Sequence, residues 1–173
     1  MFYQHYSNRD SIWLRPELPV SDDKAVGRRL DKRTREQTEK LYNLVLEYTE
    51  ANDKTSIVDA YCGVGTISLM LAKKAKYVYG IEVVKEAIIN AKQNAKKNDI
   101  KNVEFKVAKV EDVINDYINK DVNTIVVDPP RKGLDQNVVK ALLDSNIKRI
   151  VYVSCNPTSF ARDLNLLKEK LYM

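Results

Sequence analysis

The sequence predicts an α/β protein with a mainly parallel β-sheet and helices on both faces. Five short apolar segments rich in Val, Ile and Tyr recur along the chain, and each is followed by a segment whose apolar residues have helical spacing. Strands and helices that alternate in this way are joined by right-handed crossovers, which place helices on both faces of the sheet. A glycine turn at the first strand-to-helix junction is also typical of such folds when they bind a ligand.

A helix is predicted first, over 33–50, because Leu41, Leu44, Val45 and Tyr48 form an apolar stripe. The strands are short runs of apolar residues, many of them β-branched or aromatic, and they are predicted at SIVDAY (56–61), YVYGIEV (77–83), VEFKVA (103–108), NTIVVD (123–128) and RIVYVS (149–154). The helices that follow them have amphipathic patterns and are predicted over 65–75, 85–99, 110–119, 136–145 and 158–170.

Composition limits the classes of protein to which the chain can belong. Its 173 residues suit one domain, and no apolar run approaches the roughly 20 residues that cross a bilayer. The N-terminus lacks the pattern of a secretory signal. Cys62 and Cys155 are too few for a disulfide framework and have no metal-site spacing. We therefore expect a cytoplasmic protein without membrane contact or a metal site.

We divide the chain into an N-terminal arm or irregular segment, 1–32, and a core, 33–173. The arm shows no sustained periodicity and carries Pro16, Pro19 and Gly27. Its aromatic residues are expected to dock on the core, and they are Phe2, Tyr3, Tyr6 and Trp13.

The net charge of +5 and the isoelectric point near 9.0 are compatible with a polyanionic partner. One dense basic cluster, RRLDKRTR, is either a solvated helix face or a phosphate-contacting face, and it contains Arg28, Arg29, Lys32, Arg33 and Arg35.

The segment VDAYCGVGT joins the first strand to the first helix of the alternating part. Gly63 and Gly65 allow a tight turn and close approach of a ligand, although packing of a strand against a helix also favours glycine. Glu82 stands about 20 residues further on, at the end of the second strand, where a carboxylate can accept both hydroxyls of a ribose. Together they indicate a cofactor that contains a nucleoside; an exposed glutamate at a strand end is the alternative reading of Glu82.

Two further motifs end strands at the same edge of the predicted sheet. VVDPPRKGLD holds Asp128 at the carboxyl end of the fourth strand, because two successive prolines fix an extended backbone. IVYVSCNP ends the fifth strand at Cys155, which is either a small packing residue or an accessible thiol.

The motifs DAYCGVGTISLMLAKKA, DPPRKGL and VYVSCNPTSFARDL together resemble the RNA uracil-5-methyltransferases, from about Gln37 to Leu167. That family is dependent on S-adenosyl-L-methionine and makes 5-methyluridine in rRNA or tRNA. The resemblance implies a Rossmann-like class I methyltransferase fold. It also implies an RNA substrate whose target base lies in a loop or is flipped out.

The resemblance also implies roles for individual residues. Cys155 would be the nucleophile that adds to carbon 6 of uracil, and Cys62 would be structural. The cofactor would contact Tyr61, Gly63, Gly65, Thr66, Glu82 and Asp128, with Glu82 on the ribose. The substrate would contact Asp128 and Arg131, although a surface role for Arg131 is an equal alternative.

The chain departs from the family pattern in three places. The family carries F-x-Q-x-N before QTEKLY, and Lys32 takes the place of that cofactor-binding glutamine by spacing; lysine cannot accept a hydrogen bond. The family continues beyond the position of Met173 with two strands and a glutamate that removes the carbon 5 proton. Its N-terminal RNA-binding barrel and iron–sulfur cysteines also have no counterpart. We therefore expect a catalytic core without its C-terminal strands, either a fragment or a degenerate relative.

Two alternative functions stay open at this point. The chain could be a cytosine-5 RNA methyltransferase, or it could bind cofactor or RNA without turnover.

The covering of the last strand is also open. Loss of the C-terminal strands would leave the fifth predicted strand at an edge with unpaired backbone groups. We expect that edge to be covered by a second copy of the chain, by the N-terminal arm, or not at all.

Overall fold

The computed structural model describes residues 11–14 and 32–171, and the side chains of residues 40–168. Its strands, in chain order, are β1 (Ser11–Leu14), β2 (Ser56–Ala60), β3 (Tyr77–Glu82), β4 (Val103–Val107), β5 (Thr124–Val127) and β6 (Arg149–Val153). Its helices are α1 (Lys32–Thr49), α2 (Thr66–Ala72), α3 (Lys85–Lys97), α4 (Val110–Ile118), α5 (Gln136–Asp144) and α6 (Pro157–Leu171). Each strand and helix predicted from the sequence is confirmed to within a few residues at its ends.

The six strands form one sheet in the order β1-β6-β5-β2-β3-β4, and each neighbouring pair is parallel. The chain runs outward from β2 through β3 to β4, and then returns to the other side of β2 as β5. The strand order therefore reverses between β2 and β5, and ligands of open α/β sheets bind outside the carboxyl ends of the strands at such a point. No helix of the described residues is long and apolar enough to cross a membrane.

The sheet is covered on both faces, as predicted. On one face Ile125 and Tyr152 pack with apolar side chains of α4, α5 and α6. On the other face Ile57 and Val151 pack with side chains of α1 and α2, and α3 packs beside them over β4. Because β2 and β5 lie in the middle, every residue of those two strands is buried, which explains why most of their residues are apolar.

The fifth predicted strand, β6, is not left unpaired at the edge of the sheet. Backbone groups of β6 pair with β1, from Ser11 opposite Ile150 to Leu14 opposite Val153. Of the three expected coverings, the N-terminal arm is the one observed. The arm is also not irregular throughout. Four residues of the arm form a strand because they pair with backbone donors and acceptors of β6 that would otherwise be unpaired. The periodicity of the arm sequence does not reveal this strand, because it depends on a contact with a distant part of the chain.

Much of the arm lies outside the described residues. This applies to Phe2, Tyr3 and Tyr6, to the docking expected of them, and to Arg28 and Arg29 of the basic cluster. Helix α1 includes the other members of that cluster, but their side chains, like that of Trp13, are outside the described part.

The ring of Phe105 on β4 fills space that two glycines leave open. A Cβ atom at Gly80 would lie 2.5 Å from Cδ1 of Phe105, and one at Gly65 would lie 2.8 Å from its Cζ. Cys62 is buried in the same cluster, beside Ala91 of α3. The packing of α3 and the first glycine turn against the sheet therefore depends on the absence of these two side chains.

We expect Gly80→Ala to destabilise the fold by about 1–3 kcal/mol, because the added methyl group overlaps the ring of Phe105. Phe105→Leu in the Gly80→Ala background should recover part of that loss, although Phe105→Leu alone is destabilising. Urea unfolding followed by circular dichroism measures both effects. An unchanged midpoint for Gly80→Ala would contradict this packing.

Candidate functional site

A cleft of about 500 Å³ lies at the carboxyl ends of the strands, where the strand order reverses. It is lined by residues that follow four different strands: Tyr61, Glu82, Val83, Ala108, Lys109, Val110, Glu111, Asp128, Pro129, Pro130, Lys132 and Asp135. Its volume is within the range of about 300–1,000 Å³ typical of small-molecule sites. Carboxylates, lysines and apolar side chains line it together. The cleft can therefore contact both the polar and the apolar parts of a ligand.

Glu82 fixes the glycine turn to the end of β3. Its Oε2 accepts a hydrogen bond of 3.2 Å from the amide of Gly63, and its Oε1 accepts one of 2.9 Å from the amide of Val84. A carboxylate has about four acceptor positions, so both oxygens can accept further hydrogen bonds from a ligand. The predicted ribose ligand therefore has acceptors at the edge of the cleft, held in place by two backbone amides.

Tyr61 turns the chain out of β2 in a conformation that L-residues rarely adopt. Its φ is +69°, and its amide and that of Cys62 both donate to the carbonyl of Ile81, at 2.9 and 3.0 Å. The ring is half-buried and lines the cleft, and burial raises the pKa of its hydroxyl well above the usual range. Tyr61 therefore presents a neutral aromatic wall to the ligand.

Asp59 is a fully buried carboxylate near Asp128 and Glu82, two residues that line the cleft. Its Oδ2 accepts a hydrogen bond from the hydroxyl of Ser68, in α2. Burial, with smaller contributions from the carboxylates of Asp128 and Glu82, raises the pKa of Asp59 to about 7, although the hydrogen bond from Ser68 lowers it.

The segment 128–135 forms one wall of the cleft. Its first residue, Asp128, is exposed to the cleft but crowded by protein atoms, which raises the pKa of its carboxyl group to about 6. Arg131 is exposed and is not among the lining residues, whereas Lys132 is. Lys132 is therefore a cation at this wall that the sequence did not indicate, and the role of Arg131 toward the RNA stays a prediction.

Cys155 is an exposed free thiol at the end of β6, two residues before α6 begins. Its neighbour Asn156 caps α6, because Oδ1 accepts the amide of Thr158 at 3.1 Å, and proline follows at the first helical position. The same side chain donates from Nδ2 to the carbonyl of Arg131 at 2.8 Å. The residue after Cys155 is therefore tied to the segment 128–135 and caps α6, whereas Cys155 itself is not among the residues that line the cleft.

Comparisons with known proteins identify the family. The family model described as tRNA (uracil-5-)-methyltransferase matches residues 10–171. This chain belongs to that family. It is 50% identical over 139 residues to an uncharacterized RNA methyltransferase of Bacillus cereus, and the matched region covers 79% of this chain and 30% of that protein. It is 52% identical over 135 residues to an uncharacterized RNA methyltransferase of Oceanobacillus iheyensis, with 77% and 29% covered.

Solved structures agree with this assignment. The tRNA (uracil-54, C5)-methyltransferase of Pyrococcus abyssi, in complex with S-adenosyl-L-homocysteine, is 40% identical with a TM-score of 0.68, over 76% of this chain and 31% of that one. An O-methyltransferase of Thermotoga maritima, dependent on S-adenosylmethionine, shares the fold at 20% identity and a TM-score of 0.64, over 75% and 49%. The predicted Rossmann-like class I fold is confirmed. The chain spans about 30% of the length of the curated relatives it matches.

In this member of the family, the structure brings half of the predicted site residues together at the cleft. Tyr61, Glu82 and Asp128 line the cleft, and the amide of Gly63 lies at its edge through its bond to Glu82. Thr66 does not line it; this residue lies at a separate, shallow cleft of about 240 Å³. The space next to Gly65 is filled by Phe105, so packing accounts for that glycine.

Sequence reasoning missed several residues of the site. Lys109 and Glu111 stand after β4, where the sequence offers no glycine or proline signal. Asp59 lies inside a predicted strand, and an acid in a buried strand is itself a signal that could have been used. Cys62 is buried, and burial raises the pKa of its thiol far above the usual range, in keeping with a packing role. Among the described residues, no group of three or more His, Cys, Asp or Glu side chains could hold a metal ion.

We expect Asp59→Asn to become increasingly stabilising, relative to the native chain, as the pH rises from 4 to 7. A carboxyl group whose folded pKa is raised keeps its proton longer in the folded state, so its contribution to stability is lost as the pH rises towards that pKa. Asparagine does not ionise, and it can still accept from Ser68. The difference in the free energy of unfolding between Asp59→Asn and the native chain should grow by on the order of 3 kcal/mol over this pH range, because each unit of pKa shift corresponds to about 1.4 kcal/mol.

Urea midpoints at pH 4.5 and 7.5 measure this difference, and Asp53→Asn, at an exposed position, is the matched control. If the two variants showed the same pH dependence, the carboxyl group of Asp59 would not be titrating in the range assigned to it.

Proposed function

We propose that this chain forms the cofactor-binding and nucleophile-bearing core of an enzyme that methylates carbon 5 of a uridine in RNA, either rRNA or tRNA, with S-adenosyl-L-methionine as methyl donor. The observation that carries the proposal is the position of Cys155. Its thiol is exposed, ends a strand at the ligand edge of the sheet, and is joined through Asn156 to the wall of the cleft. The family to which the chain belongs and the ligand of the Pyrococcus abyssi relative support the same reaction.

The residues of the cleft fit S-adenosyl-L-methionine. Glu82 would accept from the ribose hydroxyls, and Val83 and Val110 offer apolar contacts to the adenine. Tyr61 and Asp128 would face the amino acid portion, where a carboxylate can pair with its ammonium group. When bound, this cofactor supplies an electrophilic methyl group on a sulfonium sulfur.

The thiol of Cys155 would supply covalent catalysis. Carbon 5 of uracil is a weak nucleophile, so the thiolate first adds to carbon 6, and the electrons of the 5,6 double bond move towards the oxygen on carbon 4. Carbon 5 can then take up the methyl group. Loss of the carbon 5 proton to a base expels the thiolate and restores the double bond. We assign that base to no residue of this chain.

The RNA would have to present an unstacked uridine. Cys155 lies at a strand end, and a base within a duplex cannot reach such a thiol. Lys132 provides a cation on the wall of the cleft, and the exposed Arg131 stands next to it, so either could contact a phosphate. The side chain of Lys32, where the family has a glutamine, lies outside the described part, and cofactor affinity tests its effect.

We expect the chain to bind S-adenosyl-L-homocysteine in the micromolar range, measured by isothermal titration calorimetry. Glu82→Gln should weaken that binding at least tenfold, because an amide nitrogen cannot accept from a ribose hydroxyl. Glu104→Gln, at an exposed position of β4, is the control and should bind as the native chain does. Equal affinity for folded Glu82→Gln would remove Glu82 from the cofactor site.

The covalent step is tested with a short RNA that carries 5-fluorouridine. Fluorine at carbon 5 cannot leave as a proton does, so the adduct should persist after denaturation and appear in the intact mass as protein plus methylated RNA. The native chain and Cys62→Ala should form it, and Cys155→Ser should not. An adduct on Cys155→Ser would exclude Cys155 as the nucleophile, and transfer to cytidine instead of uridine would indicate the cytosine-5 reaction.

A further inference from the structure

Asp163 of α6 is a fully buried carboxylate that accepts hydrogen bonds from three different parts of the chain. Its Oδ2 accepts from the amide of Leu134 and from the hydroxyl of Tyr152, both at 2.7 Å. Its Oδ1 accepts from the guanidinium of Arg162, from Nε at 2.9 Å and from Nη2 at 2.6 Å. Burial and donation to Asp163 raise the pKa of Tyr152, so its hydroxyl stays protonated. Both oxygens of this carboxylate are thus paired within the protein.

Two of the three donors belong to parts of the chain that form the proposed active site. Leu134 lies in the wall segment 128–135, and Tyr152 lies on β6, three residues before Cys155. The third donor, Arg162, is the neighbour of Asp163 on α6. Arg162 extends the network, because Nη2 also donates to the carbonyl of Lys132 at 2.8 Å. Asp163 therefore connects the wall of the cleft to the strand that ends at the thiol.

A second link joins the same two parts on the other side of Cys155. Asn156 donates to the carbonyl of Arg131, as described above. The thiol thus stands between two residues, Tyr152 and Asn156, whose side chains both connect to the wall segment, one of them through Asp163. Within the described part of the chain, every fully buried side-chain nitrogen and oxygen has a hydrogen-bond partner. Removing one acceptor from this network would therefore leave a buried donor unpaired.

We propose that Asp163 is a positioning residue, which holds the wall segment 128–135 in register with the strand that ends at Cys155. Its role for the reaction rests on the proposed function. In that role it sets where the nucleophile stands relative to Asp128 and Lys132, without touching the substrate or the cofactor itself. A displacement of about 1 Å between reacting groups can lower a rate by about a hundredfold.

Asp163→Asn is the decisive variant, because it keeps the size of the side chain but replaces one accepting oxygen by a donor. The amide of Leu134 and the hydroxyl of Tyr152 share Oδ2 as their acceptor, so a nitrogen at that place leaves both without one. A nitrogen at the place of Oδ1 instead faces the guanidinium of Arg162 and breaks the contact that leads on to the carbonyl of Lys132. We expect adduct formation on 5-fluorouridine RNA, with RNA and S-adenosyl-L-methionine at saturation, to slow at least tenfold. Affinity for S-adenosyl-L-homocysteine should fall by a smaller factor than the adduct rate, since Glu82 and the residues after β4 line the cleft outside the segment 128–135.

Hydrogen exchange supplies a readout that does not depend on activity. The amides of 131–135 should exchange at least tenfold faster in Asp163→Asn, while β2 keeps its protection. Leu71→Ala is the control for stability, because Leu71 is buried on the opposite face of the sheet. It should lower the urea midpoint without changing either the adduct rate or the protection of 131–135.

Each outcome decides the proposal. An adduct rate for Asp163→Asn within threefold of the rate for Leu71→Ala, or unchanged exchange at 131–135, would overturn it. If the native chain formed no adduct, the proposed function would fail, and the exchange data alone would decide whether Asp163 holds the segment. Should Asp163→Asn not fold, Tyr152→Phe removes only the link to β6, and we then expect adduct formation about three- to tenfold slower.

Discussion

The parallel pairing of every strand in the sheet is the constraint from which the candidate site follows. Parallel strands end at the same edge, so residues far apart in sequence, such as Tyr61, Glu82, Asp128 and Cys155, all emerge at one edge of the molecule. The reversal of strand order between β2 and β5 then opens a cleft there, because the chain leaves this point in opposite directions.

Two carboxylates that accept hydrogen bonds from backbone amides fix the positions of the loops at this edge of the sheet. Glu82 binds the amides of Gly63 and Val84, and Asp163 binds the amide of Leu134. Each carboxylate joins a loop to an element that is distant in sequence, and a charged acceptor makes such bonds stronger than a neutral one. The loops of the cleft are therefore fixed by a few strong contacts, and the apolar cores below them position the strands.

The cysteines show how environment separates two identical side chains. Cys62 is packed beside Phe105, where burial keeps its thiol protonated. Cys155 is exposed at the end of β6, two residues before α6 begins. This difference in accessibility is the reason that we propose Cys155, and not Cys62, as the nucleophile.

The sequence by itself determined the order of strands and helices from β2 onward, because apolar periodicity is a local property that a buried parallel sheet requires. It also indicated Glu82, Asp128 and Cys155, since the spacing from the glycine turn, the two prolines and the broken strand are local signals at strand ends, and the family resemblance added Tyr61. Tertiary structure alone decided that Ser11–Leu14 covers β6, that Lys132 instead of Arg131 faces the cleft, and that Asp163 links its wall to the thiol strand. These features depend on pairing between residues distant in the chain, and no local pattern records which backbone group a side chain will reach once the sheet has formed.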